Sequence, residues 1–320
     1  MSFPVLTLSR LANAGLLVLL CAPLGIGLAA LSGIGHRWVD ILAQFTAAAL
    51  VGALALTAVA SVMRLWLAVG AGATTSLILL LAGWPQWAPP TGTPKPGAPV
   101  MTLYSANLHV RNRDVEAVRA SVADSRADVV VLVETPRAML GQLDRILPRQ
   151  TYRVVETGGV YAIDGTVIAS RWPVRKVEAR SGGNHIAAVV ETPLGEVTVF
   201  GVHLTRPWPY QYQWGQLTQV MALEASAKGI SGPVVMAGDF NSVSSGRVGR
   251  TIRKDLGLIP APGWPGTWPS SLPSAVGMNI DQVYHSPDLA VTGRRLGRPS
   301  GSDHRPVVTR LTLSEPRPRP

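Results

Sequence analysis

Pro233-Val234-Val235-Met236-Ala237-Gly238-Asp239-Phe240-Asn241 joins a short apolar run to a glycine, a carboxylate and an amide. The run reads as a buried strand. Gly238 permits close approach of a ligand or metal where the strand ends. Asp239 and Asn241 are two apart, so in extended backbone they project to one side. A carboxylate and an amide placed there suit a hard cation and a phosphate oxygen, since both offer oxygen and the amide also donates. Taken alone, the stretch fits a turn capped by Asp and Asn better than a site, so its meaning depends on the rest of the chain.

Around this strand the pattern is that of an α/β protein. Val100 to Val110 alternates as a strand, and Asp114 to Ser125 carries Val115, Val118 and Val122 at helical spacing. Asp128-Val129-Val130-Val131-Leu132-Val133-Glu134 is a continuous apolar strand ending in a carboxylate. Thr135-Pro136 then predicts a helix start, with Met139, Leu140, Leu143, Ile146 and Leu147 as its buried stripe. Strands are expected at Tyr152–Val155, Thr166–Ser170, His185–Thr192 and Val197–Leu204, the last two joined by the hairpin signal Pro193-Leu194-Gly195-Glu196. A helix is expected from Tyr212 to Lys228, a basic helical stretch after Asn241, and strands near Asp281–Tyr284 and Val307–Leu313. Strands with helices on their outer faces predict a layered sandwich of two sheets.

The first third is different in kind. The chain has 320 residues, 47% hydrophobic and 15% charged, too apolar for one soluble domain. Before Val100 the only charged side chains are Arg10, Arg37, Asp40, Arg64 and Lys95. Leu11–Gly33, Ile41–Met63 and Leu65–Trp84 are each about the ~20 residues that a helix needs to cross a ~30 Å hydrocarbon layer, so three transmembrane helices are expected in residues 1–84. A cleaved signal peptide would account for the first run alone. Trp38, Trp66, Trp84 and Trp87 lie near the expected ends, where indoles favour the interface. Arg10 and Arg64 fall on one side and Arg37 on the other, which places the amino terminus in the cytoplasm and everything after Trp84 outside it. The proline-rich residues 85–99 read as an extended linker, residues 100–314 as the globular domain, and residues 315–320 as a loose tail.

Net charge is +10 over the chain, and removing the four basic and one acidic residue before Val100 leaves 25 basic against 18 acidic, or +7, in the globular part. That balance suits polyanions such as nucleic acid, anionic headgroups or phosphorylated metabolites, or serves solubility. Cys21 is the single cysteine, so no intrachain disulfide and no zinc–cysteine cluster exists.

Polar residues recur at strand ends: Asn107, Glu134, His203, Asp239, Asn241, Asp281 and the pair Asp303-His304. Strand ends on one side of a sheet converge, and ionised groups brought together repel unless a cation or phosphate ligand compensates. Oxygen donors without cysteine favour Mg²⁺, Mn²⁺ or Ca²⁺ over zinc. The series Ser105-Ala106-Asn107-Leu108, Val133-Glu134-Thr135, Gly201-Val202-His203-Leu204, Gly238-Asp239-Phe240-Asn241, Ile280-Asp281-Gln282-Val283 and Ser302-Asp303-His304-Arg305-Pro306 resembles the endonuclease/exonuclease/phosphatase family over roughly Val100 to Leu313.

The resemblance implies a four-layer α/β sandwich and metal-dependent hydrolysis of phosphate esters. It implies Asn107 and Glu134 as ligands of the cation, with Asp303 completing that site. It implies Asp239 and Asn241 on the nucleophilic water and scissile phosphate, His304 oriented by Asp281, and His203 contacting the phosphate and protonating the leaving oxygen. Either Asp239 or His304 fits the general base. Asn279 and Gln282 depart from the residues usual around Asp281, and no acidic partner for His203 is evident in the sequence.

Arg247, Arg250 and Lys254 recur at helical spacing after Asn241 and are candidate substrate contacts, or a solvated face. Trp208, Tyr210, Trp264 and Trp268 lie in loops near the motifs, placed to stack on bases, dip into lipid or pack the loops. The expectation is a membrane-anchored phosphodiesterase acting on DNA or RNA. The alternatives are a phospholipid or sphingomyelin-type phosphodiesterase or phosphatase, and a catalytically silent binding module. No protein partner is implied.

Overall fold

A computed structural model of the protein describes residues 3–158, 164–178, 183–207 and 214–315. Four helices come first: α1 (Phe3–Leu31), α2 (Arg37–Gln44), α3 (Thr46–Val62) and α4 (Trp66–Trp87). The α/β part follows as β1 (Val100–Asn107), α5 (Val115–Ser125), β2 (Val129–Pro136), α6 (Arg137–Leu140), α7 (Leu143–Ile146), β3 (Tyr152–Thr157), β4 (Asp164–Ser170) and β5 (Val174–Val177). It continues through β6 (His185–Thr192), β7 (Gly195–His203), α8 (Gly215–Ala227), β8 (Val234–Asp239), α9 (Arg247–Asp255) and β9 (Ile259–Pro260). β10 (Asp281–His285), β11 (Leu289–Leu296) and β12 (Val307–Leu313) complete it.

The strands form two six-stranded sheets, in the orders β11-β12-β1-β2-β4-β3 and β5-β6-β7-β8-β10-β9. Their facing sides share one core, with Met101, Leu103, Val129, Val131 and Ile168 of the first sheet meeting Ile186, Val199, Val235, Ala237 and Val283 of the second. The period of two explains why the strands read as unbroken apolar runs. In β2, Val129 and Val131 face the other sheet, whereas Val130 and Leu132 pack with Val118, Val122, Leu143 and Ile146 of α5 and α7. In β8, Val235 and Ala237 face inward, and Val234 and Met236 meet Val220, Leu223, Val248 and Ile252 of α8 and α9. Each such fully buried aliphatic contributes about 1.5–3 kcal/mol. The four layers are helix, sheet, sheet, helix.

Of the N-terminal helices, Leu8–Leu31 and Trp66–Trp87 are long and apolar enough to cross a membrane. The expected middle span is broken. α2 and α3 meet at a 56° bend, and the pair counts as a third span only if taken as one. On α2, before the break, Asp40 and Gln44 are buried and hydrogen-bond to Arg247 and Asn241 of the α/β domain.

Three local expectations need correction. The stretch 85–99 does not stand free as a spacer: α4 runs through Pro85 to Trp87, and beyond it Thr91 and Lys95 hydrogen-bond to Val291 and Leu313, with Pro94 bridged to Ser314. Glu315, expected in the loose tail, donates its N–H to Thr93 O at 2.7 Å; residues 316–320 lie outside the described residues. The helix expected from Thr135-Pro136 is two four-residue helices, because β2 continues to Pro136 and Gly141 ends α6. β5 and β11 were not expected; β11 carries Gly293-Arg294-Arg295, which masks its alternation. The expected start of α8 at Tyr212 falls outside the described residues.

The sheet itself requires glycine at position 238. Its φ is +142°, and a Cβ there would run into the carbonyl oxygen of Val202 on β7. Gly238→Ala is therefore expected to cost about 3 kcal/mol or more, read as a lowered midpoint of thermal or denaturant unfolding. A change under 1 kcal/mol would contradict this reading of the β7–β8 contact.

Candidate active site

The topology collects the polar strand ends at one edge. β7 and β8 run parallel, with His203 in register with Asp239. β10 runs antiparallel to β8, so Asp281, at its start, is paired with Asp239 at the end of β8. In the other sheet β1 and β2 run parallel, placing Asn107 opposite Val133 and beside Glu134. β12 is antiparallel to β1, so Asp303 and His304, just before it, arrive at the same edge. Parallel strands end where antiparallel strands begin, and residues up to two hundred positions apart become neighbours.

Glu134 does not simply terminate β2. It sits in a bulge between Leu132 and Thr135, at φ +48°. A bulge re-aims a side chain out of the strand's alternation, and here it turns the carboxylate towards Asn107 and His203. Asn107 Nδ2 donates to Glu134 Oε1 at 3.0 Å and to Asp239 Oδ2 at 3.0 Å, so one amide links the two sheets. His203 Nε2 lies 3.2 Å from Glu134 Oε1. His304 Nδ1 lies 2.9 Å from Asp281 Oδ2, and its Nε2 lies 3.9 Å from Asp239 Oδ2. That separation is too long for a direct hydrogen bond. Asn241 donates its backbone N–H to Asp239 Oδ1 at 2.8 Å and its side-chain amide to Leu204 O at 2.8 Å.

The electrostatics follow from burial opposed by pairing. Burial raises the Glu134 carboxyl, but the hydrogen bond and charge of His203, with Asn107 and the Val110 N–H, outweigh it and hold the group at about 2. Burial lowers His304, but the charge and hydrogen bond of Asp281, with Asp239, push it up to about 10. Burial lowers His203 too, and Glu134, Asp239 and Asp164 drive it above the ordinary histidine range. Asp239 is pushed up to about 6, chiefly by burial and against the pull of His304.

Asp303 is less tightly held. Its carboxylate takes the indole N–H of Trp268 at 3.1 Å, and His109 Nδ1 stands 3.5 Å from it and 4.0 Å from Glu134. The structure thus joins Asn107 directly to Glu134 but connects Asp303 to that pair through His109. Two donor groups close to within 4.8 Å, Glu134–His203–Asp239 and Asp239–Asp281–His304. Oxygen donors dominate and thiolates are absent among them, which fits an oxygen-preferring divalent cation.

Two residues of this cluster escaped the sequence reading. His109 lies two positions after Asn107, at φ +61°, outside any strand; the same-face spacing to Asn107 was its only signal. Asp164 opens β4, buried, and its charge acts on His203; Gly165 and Thr166 separate it from the apolar run that begins at Val167. Gln282 is buried beside Asp281, and its Nε2 donates to Ser242 O at 3.1 Å.

The three basic candidates on α9 are not gathered at the cluster. Arg247 is buried, with Nε 2.9 Å from Asp40 Oδ2 on α2. Arg250 donates to Ser245 O at 2.8 Å and Gly33 O at 3.4 Å. Lys254 is exposed near the helix end. Trp268 approaches His304, with ring centroids 6.4 Å apart, whereas Trp264 is exposed. Trp208 and Tyr210 lie outside the described residues.

The comparisons agree with this geometry. The family profile described as "Endonuclease/Exonuclease/phosphatase family" matches residues 104–304. No curated protein matches the chain. Similar solved structures include an endonuclease/exonuclease/phosphatase from Beutenbergia cavernae DSM 12333, 20% identical over 67% of this chain and 72% of that one, with a TM-score of 0.52. Another is the mannosyl-6-phosphatase Bt3783 of Bacteroides thetaiotaomicron VPI-5482, 16% identical over 66% and 99%, TM-score 0.51. A humanized D. rerio TDP2 is 15% identical over 66% and 98%, TM-score 0.51. These structures share the fold, and the profile spans every strand-end residue from Asn107 to His304; the chain belongs to the endonuclease/exonuclease/phosphatase family of metal-dependent phosphate-ester hydrolases.

Proposed function

We propose that the protein is a membrane-anchored phosphoesterase whose substrate is a phosphate ester at a lipid headgroup. The observation that carries this reading is the contact of α2, within the apolar first third, with the loop after β8: Asp40 meets Arg247 and Gln44 meets Asn241. A site braced this way sits at the depth of the headgroups if the flanking helices span the bilayer. A second contact agrees, since Gly263 N donates to Gln86 O at 2.7 Å at the end of α4. The loop that begins at Gly263 exposes Trp264 and Leu272, side chains that suit an interface. The nucleic-acid reading loses support, because the arginines expected on flanking phosphates are engaged by Asp40, Gly33 and Ser245.

In this reading residues 1–84 anchor residues 100–314 on the extracytoplasmic face. Asn107 and Glu134, with Asp303 beyond His109, would hold a divalent cation, which when bound would supply charge to polarise the phosphate. Water held between Asp239 and His304 attacks the phosphorus in line, losing its proton to that pair, while Asp281 keeps the His304 ring oriented. Asn241 steadies the phosphate, and His203, on the Glu134 side, gives a proton to the leaving oxygen.

The test uses the full chain in lipid nanodiscs with phospholipid and linear DNA as separate substrates. Headgroup phosphate release with Mg²⁺ or Mn²⁺ is expected, falling at least about a hundredfold in chelator and returning with metal. Cleavage of DNA with lipid untouched would overturn the lipid assignment. A reporter fused after Pro320 tests the side; a cytoplasmic signal reverses it.

A further inference from the structure

We infer that Gln44 of α2 is a positioning residue for the catalytic loop, so that the first third of the chain is part of the working enzyme and not only its tether. The inference rests on the phosphoesterase reading for its catalytic half alone; the contact itself stands on geometry.

Asn241 is at φ +47°, a left-handed conformation that asparagine adopts more readily than other non-glycine residues, and here its carbonyl is held from two sides. Two glutamine amides clasp its carbonyl oxygen, each at 3.2 Å: Gln216 Nε2 from α8 and Gln44 Nε2 from α2. Gln216 also holds the carbonyl of Phe240 at 2.9 Å. The turn that aims Asp239 and Asn241 is therefore fixed from two sides, one of them 197 positions earlier in the chain.

The same helix braces the far end of the loop. Asp40 lies one helical turn before Gln44, so both project from one face. Its Oδ1 accepts the backbone N–H of Arg247 at 2.7 Å, and its Oδ2 lies 2.9 Å from Arg247 Nε. Arg247 opens α9, whose N-cap is Gly246, a residue with no side chain to satisfy the free N–H groups. Asp40 supplies that cap from another element. α2 thus grips the loop at Asn241 and at Arg247, through two side chains one helical turn apart. Buried polar groups in so apolar a segment are costly, and their presence calls for a named partner; both have one in the catalytic loop.

The experiment compares wild-type full chain in nanodiscs with Gln44→Met, which keeps length and loses the donor, and Gln44→Lys, which restores a donor at similar reach. Hydrogen–deuterium exchange of peptides covering 238–246 is read first and needs no substrate. Gln44→Met is expected to speed exchange there by about five- to tenfold, with Gln44→Lys close to wild type. Turnover of bis(p-nitrophenyl) phosphate, a small soluble diester, is read second. Gln44→Met is expected to lower kcat by about five- to tenfold with KM unchanged, and Gln44→Lys to recover most of it.

Unchanged exchange in Gln44→Met overturns the inference, as does faster exchange with unchanged kcat, or an equal loss in both variants. A wild-type protein inert towards the diester tells against the phosphoesterase reading, and the exchange result then decides the positioning contact by itself.

Discussion

Asp239→Asn is expected to lower kcat on a phosphate-ester substrate by about 10³-fold, within the 10²–10⁴ that a positioned acid–base group supplies. Asp239 Oδ2 accepts from Asn107 Nδ2 at 3.0 Å and from Asn241 Nδ2 at 3.3 Å, and Oδ1 accepts the Asn241 N–H at 2.8 Å. Asparagine keeps the size but replaces an acceptor by a donor. Whichever way the amide turns, an N–H faces another N–H. The substitution also removes the anion 3.9 Å from His304 Nε2, across the gap where water is proposed to sit. Depending on which way the amide turns, either the anchor of Asn107 or the acceptor of the Asn241 N–H is lost, and in both cases the negative end of the Asp239–His304 pair is lost with it. Steady-state kinetics at saturating Mn²⁺, with circular dichroism to confirm the fold, measure it. A kcat within tenfold of wild type would remove Asp239 from the chemistry.

Asp40→Ala is expected to destabilise the full chain by about 3–5 kcal/mol, because it strands a buried guanidinium. Asp40 and Arg247 side chains are 2% and 8% exposed, so water cannot replace the lost partner. The first N–H of α9 loses its acceptor in the same step. The shift expected in thermal unfolding is about 10 °C downward. Asp40→Leu combined with Arg247→Leu should recover most of that loss, since removing both charges leaves none unpaired. A shift under 2 °C for Asp40→Ala would mean that α2 and the α/β domain are not joined as described.

The layered α/β architecture was legible because its cause is local. Val129–Val133 and Val234–Met236 are unbroken apolar runs because both faces of each strand are covered. The elements that escaped have disguised patterns: β11 alternates around Gly293-Arg294-Arg295, and the helix after Pro136 is cut at Gly141. Within the site, Asn107, Glu134, His203, Asp239, Asn241, Asp281 and His304 were named from strand ends, and the structure brings them together. Asp303 stands at the margin, reached through His109. Asp164 went unnoticed because the strand it opens was read as starting two residues later.

What the order of residues determined unaided is the set of chemical groups at strand ends and the division into an oily third and an α/β remainder. Both arise from side-chain polarity repeated over a few neighbouring positions. Tertiary structure alone decided the direction in which those groups point: the bulge that turns Glu134 inward, the carbonyl of Val202 that forbids a side chain at Gly238, and the burial of Arg247 against Asp40. A basic stripe at helical spacing looks the same in a sequence whether it faces water, a phosphate or a carboxylate 207 positions away. Only the packing of one element on another removes the water and selects the partner.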